Sequence, residues 1–327
     1  MIFQNICFHN VEQMIPFEDG WKMTRLPEHV MNCVNEGIRS RTGTFSSGVE
    51  LRMRLKGEKA VVRLRALPIE EAQVGFVYYG SFQGGWQVSS FVIGTESTSV
   101  SLVPPADPAR LRELTQEGGL PFCPDLIRLV LPYGTCVFLG VDGEVEPPRP
   151  GDEPGITYLA YGSSITHGSL ALDTPHTYPF RIAQELKCDY LNLGFAGTAH
   201  LEKEMAEYIV ARRDWDFASV EMGVNMLGTF SEEAFEQRVN DFTRILADDG
   251  RPVFATSMFR MGHESEKAEH FRDIVRKYAG ERLIFTEGTD LLGQPWDVSA
   301  DLVHPSIQGV EGIARKWSDI MRRHLNK

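Results

Sequence analysis

The stretch YGSSITHG, residues 161–168, decides how the middle of this 327-residue chain folds. It includes the end of the apolar run ITYLAYG, which is typical of a buried strand. Glycine and serine allow the backbone to turn sharply where such a strand ends, and a serine on a turn of this kind holds its hydroxyl outward. The same residues are also common in ordinary turns. The octet alone therefore leaves a nucleophilic serine and a plain strand-to-loop turn equally open.

The chain after residue 155 alternates short apolar runs with longer amphipathic stretches. The apolar runs are ITYLAYG, DYLNLGF, FASVEMG, PVFATSM and RLIFTEG. In the amphipathic stretches, Ser231 is predicted to cap one helix, Gly280 to end another and Pro305 to lie in the first turn of the last. Strands that alternate with helices form parallel sheets covered on both faces. We predict a three-layer, doubly wound (flavodoxin-like) α/β domain of five parallel strands, with its site at their carboxyl ends.

The first part of the chain has a different pattern. In VELRMRL, apolar residues alternate with polar ones, and Arg52 falls on the polar face. Further short strands follow, separated by Gly, Pro, Asp and Ser, which is typical of a β-sandwich or jelly roll. The Asp-Gly pair at 142–143 predicts a tight hairpin, and the proline-rich stretch EPPRPGDEPG reads as a linker. We therefore predict an all-β jelly-roll domain over residues 1–148 and the α/β domain over 149–327.

The composition argues against several classes of function. Thirty-three Lys+Arg against 45 Asp+Glu give a formal charge of −12, which disfavours nucleic acid and anionic membranes as partners. The five cysteines are scattered and form no CxxC pair, as in a reduced, cytoplasmic protein. No secretory signal, bilayer-spanning run or metal-ligand spacing is evident. We expect a cytoplasmic protein without metal or cofactor, and its oligomeric state stays open, a homo-oligomer included.

Polar residues and glycines cluster where the predicted strands end. Together these ends supply a hydroxyl, free backbone N–H groups, an amide, a carboxylate and an imidazole. Acyl transfer by a serine needs this set: a base for the hydroxyl proton, a carboxylate that orients the base, and donors for the oxyanion. The residues concerned are Gly162, Ser163, Ser164, Gly194, Gly197, Gly223, Asn225, Asp301 and His304.

The ordered segments resemble the SGNH or GDSL hydrolase superfamily of esterases, whose four marker residues are Ser, Gly, Asn and His. GSSIT is similar to the superfamily's Gly-Asp-Ser-Leu-Thr block, and NLGFAG, GVN and DLVH are similar to its later blocks, in the same order. The segments YGSSITHG and NLGFAG are most similar to those of a subgroup with an N-terminal β-domain, whose layout is similar to that of carbohydrate esterases. The chain departs from the pattern at Ser163 and Met226, where aspartate is usual.

The resemblance implies a role for each matching residue. Ser164, rather than Ser163, aligns with the nucleophile, His304 with its base and Asp301 with the carboxylate that orients the base. The oxyanion hole consists of the Ser164 N–H, the Gly197 N–H, for which Gly194 is the alternative, and the Asn225 amide.

Three further residues are candidates for the pocket around the nucleophile. His167 is close to Ser164 in sequence but lacks a carboxylate in a comparable motif, so we expect it to line the pocket rather than act as the base. Met258 and Trp296 are expected to line a small pocket for a short acyl group or a sugar ring. Each of these two is equally well explained as a core residue.

The activity that the resemblance implies is that of a serine esterase. The expected substrates are short-chain acyl esters, above all acetyl esters of carbohydrates, carried by a small molecule or an oligosaccharide. Two alternatives remain: an acyltransferase that uses the same triad on a small-molecule acceptor, and a non-catalytic carbohydrate-binding protein that has kept the fold.

Overall fold

The structure is a computed structural model that describes residues 1–70 and 72–325. Its strands, in chain order, are β1 (Ile2–Phe3), β2 (Ile6–His9), β3 (Gln13–Phe17), β4 (Gly20–Thr24), β5 (Glu50–Leu55), β6 (Ala60–Ala66), β7 (Val74–Tyr79), β8 (Phe82–Gln83), β9 (Ser90–Val92), β10 (Thr98–Leu102), β11 (Ile127–Val130), β12 (Cys136–Asp142), β13 (Val145–Glu146), β14 (Thr157–Gly162), β15 (Asp189–Gly194), β16 (Phe217–Glu221), β17 (Val253–Thr256) and β18 (Ile284–Thr286).

The α-helices range from single turns to five turns. In chain order they are α1 (Glu28–Met31), α2 (Glu36–Ser40), α3 (Pro108–Gly118), α4 (Ser164–His167), α5 (Tyr178–Leu186), α6 (Lys203–Ala211), α7 (Glu232–Asp249), α8 (Glu266–Arg282), α9 (Gly288–Leu291) and α10 (Ile307–His324). Among residues 1–70 and 72–325, no helix is both long enough and apolar enough to cross a membrane.

The chain divides into two compact units. Among the described residues, the first unit contains 1–27, 44–70, 72–155 and 187–189, and the second contains 28–43, 156–186 and 190–325. The predicted boundary between residues 148 and 149 differs from this division, because the chain passes into the second unit at α1 and α2 before it completes the first. The periodic pattern of the strands gives no indication of such an excursion.

The first unit is built from two antiparallel sheets. One has the strand order β1-β2-β5-β11-β7-β8, with β13 added at β5 and β9 at β7, and the other has the order β10-β6-β12-β4-β3. Phe8 of β2 and Phe138 of β12 are both fully buried and meet edge-to-face, 5.0 Å between ring centroids. This contact joins the apolar faces of the two sheets. The predicted β-architecture is confirmed as an antiparallel, β-rich region, which is not all-β because it also contains the helix α3.

The polar face of β5 is buried as well. Arg52 and Glu50 are both fully buried, and the Arg52 Nε lies 2.8 Å from the Glu50 carboxylate. Arg128 of β11 donates to both oxygens of the same carboxylate, at 2.7 and 2.6 Å. Burial opposes ionisation of Glu50, but Arg128 and Arg52 outweigh it and lower the pKa of Glu50 to about 2. A charged residue on the polar face of an alternating strand is therefore not an exposed one here.

The second unit is the predicted α/β domain. Its five parallel strands have the order β15-β14-β16-β17-β18, which is the doubly wound, flavodoxin-like order with its switch point at β14. Helix α5 packs against α10, and α7 packs against both α6 and α8. Phe235 and Phe271 stack between α7 and α8 with centroids 3.9 Å apart. The prediction of a three-layer, doubly wound domain is confirmed.

Three local predictions are wrong. Gly280 lies inside α8, which continues to Arg282. Pro305 precedes the last helix, because Ser306 is its N-cap and α10 begins at Ile307. The hairpin at 142–143 does not form, since β13 pairs with β5 instead of β12. In contrast, Ser231 caps α7 as predicted, accepting the N–H of Ala234.

Candidate active site

Ser164 lies at the turn that follows β14. Gly162 ends the strand, Ser163 is the N-cap of α4, and its Oγ accepts the N–H of Ile165 at 3.2 Å. Glycine is required at 162, because a Cβ there would lie 2.1 Å from the Thr166 Oγ1. Ser164 is the first residue of α4, so its backbone N–H has no acceptor within the helix. The turn thus presents a hydroxyl and an N–H of the same residue.

The loop between α9 and α10 carries Asp301 and His304. The loop is closed by two backbone hydrogen bonds, from Ser299 N to His304 O and from Ser306 N to Asp297 O, each 2.7 Å. The side chain of Asp301 reinforces it, because its Oδ1 accepts the N–H groups of Val303 and His304, both at 3.0 Å. These bonds determine where the imidazole is held.

The structure brings the three predicted triad residues together. His304 Nε2 lies 2.8 Å from the Ser164 Oγ, and His304 Nδ1 lies 2.5 Å from the Asp301 Oδ2. Burial disfavours the charge on Asp301, but hydrogen bonds from Ser299, His304 and the backbone outweigh it and hold the pKa of Asp301 well below its usual range. Asp301 is therefore ionised at neutral pH and accepts a hydrogen bond from the Nδ1–H of His304. This leaves Nε2 as the acceptor for the serine hydroxyl.

The candidate oxyanion donors can also be compared. The Gly194 N–H donates to the Asn192 Oδ1 at 2.8 Å in a buried position, so it is already engaged. Gly197 is exposed and has φ +73°, the left-handed region that favours glycine. The Asn225 Oδ1 accepts the N–H of Ala199 at 3.2 Å, which leaves the NH₂ group on the other side of the amide as a donor. These contacts favour Gly197 over Gly194.

The three predicted pocket residues have different environments. His167 is fully buried, and its Nδ1 accepts the N–H of Ala196 at 3.1 Å. Met258 is 1% exposed and lies against Gly223. This burial contradicts the prediction that His167 and Met258 line a pocket, because neither presents surface to a ligand. Trp296, in contrast, is 74% exposed.

One residue near the site was missed by the sequence analysis. Arg41 belongs to the excursion of residues 28–43 into the second unit, and its Nη2 donates to the Ala196 carbonyl at 3.4 Å. A Cβ on Gly197 would lie 4.0 Å from that same nitrogen. Asn35 anchors the excursion by donating to the Thr198 carbonyl at 2.8 Å. No sequence signal links Arg41 with Gly197, because more than 150 residues separate them.

A family model matches the part of the chain that contains these residues. The model of the GDSL-like lipase/acylhydrolase family matches residues 157–322, just over half of the chain. The chain belongs to the GDSL-like lipase/acylhydrolase family. The match includes the turn at Ser164 and the loop of Asp301 and His304, so the GDSL-like domain carries all three hydrogen-bonded residues.

Several solved structures share the fold of this GDSL-family chain. The salicylyl-acyltransferase SsfX3 of a tetracycline biosynthetic pathway has a TM-score of 0.77 at 17% identity, covering 98% of this chain and 94% of that one. A family two carbohydrate esterase from Cellvibrio japonicus has a TM-score of 0.64 at 10% identity, with coverages of 98% and 95%. The family two carbohydrate esterase from Clostridium thermocellum, in complex with cellohexaose, has 0.58 at 14%, with coverages of 85% and 92%. No curated protein matches the chain.

Proposed function

We propose that this GDSL-family chain is a serine esterase that hydrolyses short-chain acyl esters, above all acetyl esters of carbohydrates. The observation that carries the proposal is the uninterrupted series of hydrogen bonds from Ser164 through His304 to Asp301, at 2.8 and 2.5 Å. An imidazole between a serine hydroxyl and an ionised carboxylate is the arrangement that activates serine for attack on an ester.

In the proposed acylation step, the Ser164 Oγ attacks the ester carbonyl and His304 Nε2 takes the hydroxyl proton. Asp301 keeps the imidazole oriented and stabilises the imidazolium. His304 then gives its proton to the leaving alcohol. In deacylation, His304 takes a proton from the water that attacks the acyl-serine, the bond between the acyl carbon and the Ser164 Oγ breaks, and His304 returns the proton to that oxygen as the carboxylic acid leaves.

Three donors are proposed for the oxyanion: the N–H groups of Ser164 and Gly197 and the Asn225 amide. The engaged N–H of Gly194 supports the choice of Gly197. Donors of this kind act where negative charge develops in the transition state, and removing one typically slows acyl transfer on the order of a hundredfold or more.

The choice of acyl group and alcohol draws on the structures that share the fold and on Trp296. The two family two carbohydrate esterases that share the fold are named for esters of carbohydrates, and a sugar ring stacks well on an exposed aromatic side chain such as Trp296. We accordingly propose a small-molecule or oligosaccharide ester as the substrate.

Exposed apolar side chains favour acyl transfer as the second candidate. Leu170 and Leu172, in the segment that follows α4, are 51% and 62% exposed, and the exposed Trp296 lies in the loop of Asp301 and His304. Apolar surface near an acyl-enzyme can bind an apolar acceptor and exclude water from it. SsfX3, which shares the fold, is named as an acyltransferase.

The first experiment is hydrolysis of p-nitrophenyl esters of increasing acyl length. We expect turnover of the acetate, a fall with longer chains and its loss in Ser164→Ala. Ser169→Ala, a serine of the same loop, is the matched control and should keep its activity. A fluorophosphonate should label Ser164 and not Ser163. If the unsubstituted protein shows no turnover and is not labelled, the proposal is contradicted and a binding protein is favoured.

The second experiment separates hydrolysis from transfer. With p-nitrophenyl acetate as donor, benzyl alcohol and methyl glucoside are added as acceptors, and the acetylated alcohol is measured against free acetate. Acetate as the main product with both alcohols fits the esterase. Predominant benzyl acetate would instead establish the acyltransferase as the better description.

A further inference from the structure

A buried carboxyl group lies directly beneath the nucleophile turn. Glu221 is the last residue of β16 and only 2% exposed. Its Oε2 accepts the backbone N–H of Ser163 at 2.8 Å. A Cβ on Gly162 would lie 2.8 Å from the same oxygen, so the carboxyl packs against the end of β14 without an intervening side chain. The triad described above does not include this residue.

The burial of Glu221 is not matched by full hydrogen bonding. Within the described part of the chain, no donor bonds to its other oxygen, Oε1. Burial raises the pKa of Glu221, although the hydroxyls of Ser163 and Thr166 and the charge of His304 favour its ionised form. Buried carboxyl groups that lack partners destabilise a folded protein. Such departures from good packing are expected where a residue serves function.

The turn that carries Ser164 needs support from outside. Helix α4 has only four residues, and a single helical turn is unstable by itself. Its N-cap, Ser163, uses its Oγ to accept the Ile165 N–H, and Glu221 accepts the Ser163 N–H from below. The carboxyl of Glu221 therefore restrains the residue that immediately precedes the nucleophile.

We propose that Glu221 is a positioning residue for Ser164: it holds the backbone of Ser163 so that the Ser164 hydroxyl stays in hydrogen-bond reach of His304 and the Ser164 N–H stays directed at the oxyanion. The inference rests on the proposed function, in which Ser164 is the nucleophile. Glu221 touches no reacting atom, and its effect on the reaction passes through Ser163.

The proposal predicts opposite effects on activity and stability. The pKa of Glu221 is higher in the folded protein than in the unfolded chain, so the folded protein binds this proton more tightly. The stability that comes from the protonated carboxyl is therefore complete below the unfolded pKa, and it is lost as the pH rises through the folded pKa. Above its folded pKa the ionised carboxyl is therefore less favourable to the fold than the protonated one. Glu221→Leu removes this penalty together with the acceptor for Ser163, whereas Glu221→Gln removes the charge and keeps an acceptor oxygen.

The test compares Glu221→Leu and Glu221→Gln with Ser219→Ala, a buried polar residue on the same face of β16 that bonds to Tyr158. For Glu221→Leu we expect kcat for p-nitrophenyl acetate to fall about 10- to 100-fold, as for a small misplacement of a reacting group. KM should stay within about twofold, and Tm at pH 8 should not fall. Glu221→Gln should recover most of kcat, and Ser219→Ala should keep it.

The rate of fluorophosphonate labelling at Ser164 separates this proposal from the proposed function. If the unsubstituted protein is labelled and both Glu221 variants are labelled equally fast, Glu221 does not position the nucleophile, while the esterase proposal stands. Unfolding of Glu221→Leu would also overturn the inference, because the carboxyl would then stabilise the fold. Failure of the unsubstituted protein to react would overturn both proposals.

Discussion

Replacing Asp301 by asparagine tests the arrangement of the triad without disturbing the loop. Oδ1 of Asp301 accepts from the Ser299 hydroxyl at 2.6 Å and from the N–H groups of Val303 and His304 at 3.0 Å. The Asn carbonyl oxygen keeps all three bonds. Its NH₂ replaces Oδ2, which lies 2.5 Å from His304 Nδ1. An NH₂ there donates to Nδ1 and forces the ring proton onto Nε2, where it blocks transfer from Ser164.

The expected loss of kcat in Asp301→Asn is about 10⁴-fold, as for the same change in a serine protease triad, which corresponds to about 5.5 kcal/mol in the activation free energy. KM and the melting temperature should change little, because the loop bonds are kept. The assay is p-nitrophenyl acetate hydrolysis, with Asp297→Asn, the same substitution in the same loop, as the control. A folded Asp301→Asn that retains more than about a tenth of kcat would refute the orienting role.

Three further predictions concern separate parts of the molecule. Asn225→Ala should lower kcat about 10²- to 10³-fold with little change in KM, and an unchanged kcat would remove Asn225 from the oxyanion hole. The folded pKa of Glu50 is about 2 against an ordinary value of 4.5, so its stabilisation is present above the ordinary value and is lost as the pH falls toward 2. Urea unfolding between pH 5 and 2 should therefore show a loss of roughly 3 kcal/mol from this group, and a rise in stability over that window would contradict it. The Arg41 guanidinium lies beside Gly197, so an acyl group with a carboxylate should bind better: p-nitrophenyl hemisuccinate should show a lower KM than p-nitrophenyl butyrate. Arg41→Gln should remove that preference. Equal KM values for the two esters in the unsubstituted protein would exclude a role of Arg41 in acyl binding.

The arrangement of the second unit was predictable because its strands are buried on both faces. The largely apolar runs FASVE and VFAT form the strands β16 and β17, in which every residue is buried. Since parallel strands end at one edge of the sheet, Ser164 and Asn225 could both be assigned to that edge from the sequence. The Asp-His loop was predictable as well, because Asp301 and His304 are only three residues apart.

Residues that act through burial were not predictable in this way. The sequence analysis assigns no role to Glu221, although the residue is buried and accepts the N–H of Ser163. His167 carries a titratable ring close to Ser164 in sequence, yet its Nδ1 serves the backbone of Ala196. Both assignments depend on which chain segment covers the side chain, and that is a property of long-range packing.

The sequence by itself determined the class of each half of this protein, and it pointed to Ser164, His304 and Asp301, which hydrogen bonds join in the structure. Periodicity and the residues at strand ends involve positions close in sequence, so they can be recognised without a structure. The tertiary structure alone showed that the Gly194 N–H is bonded to Asn192, that Arg41 reaches the Ala196 carbonyl from residues 28–43, and that Glu221 accepts the N–H of Ser163. These depend on contacts between segments far apart in sequence, whose pairing is set by packing and hydrogen bonding in three dimensions.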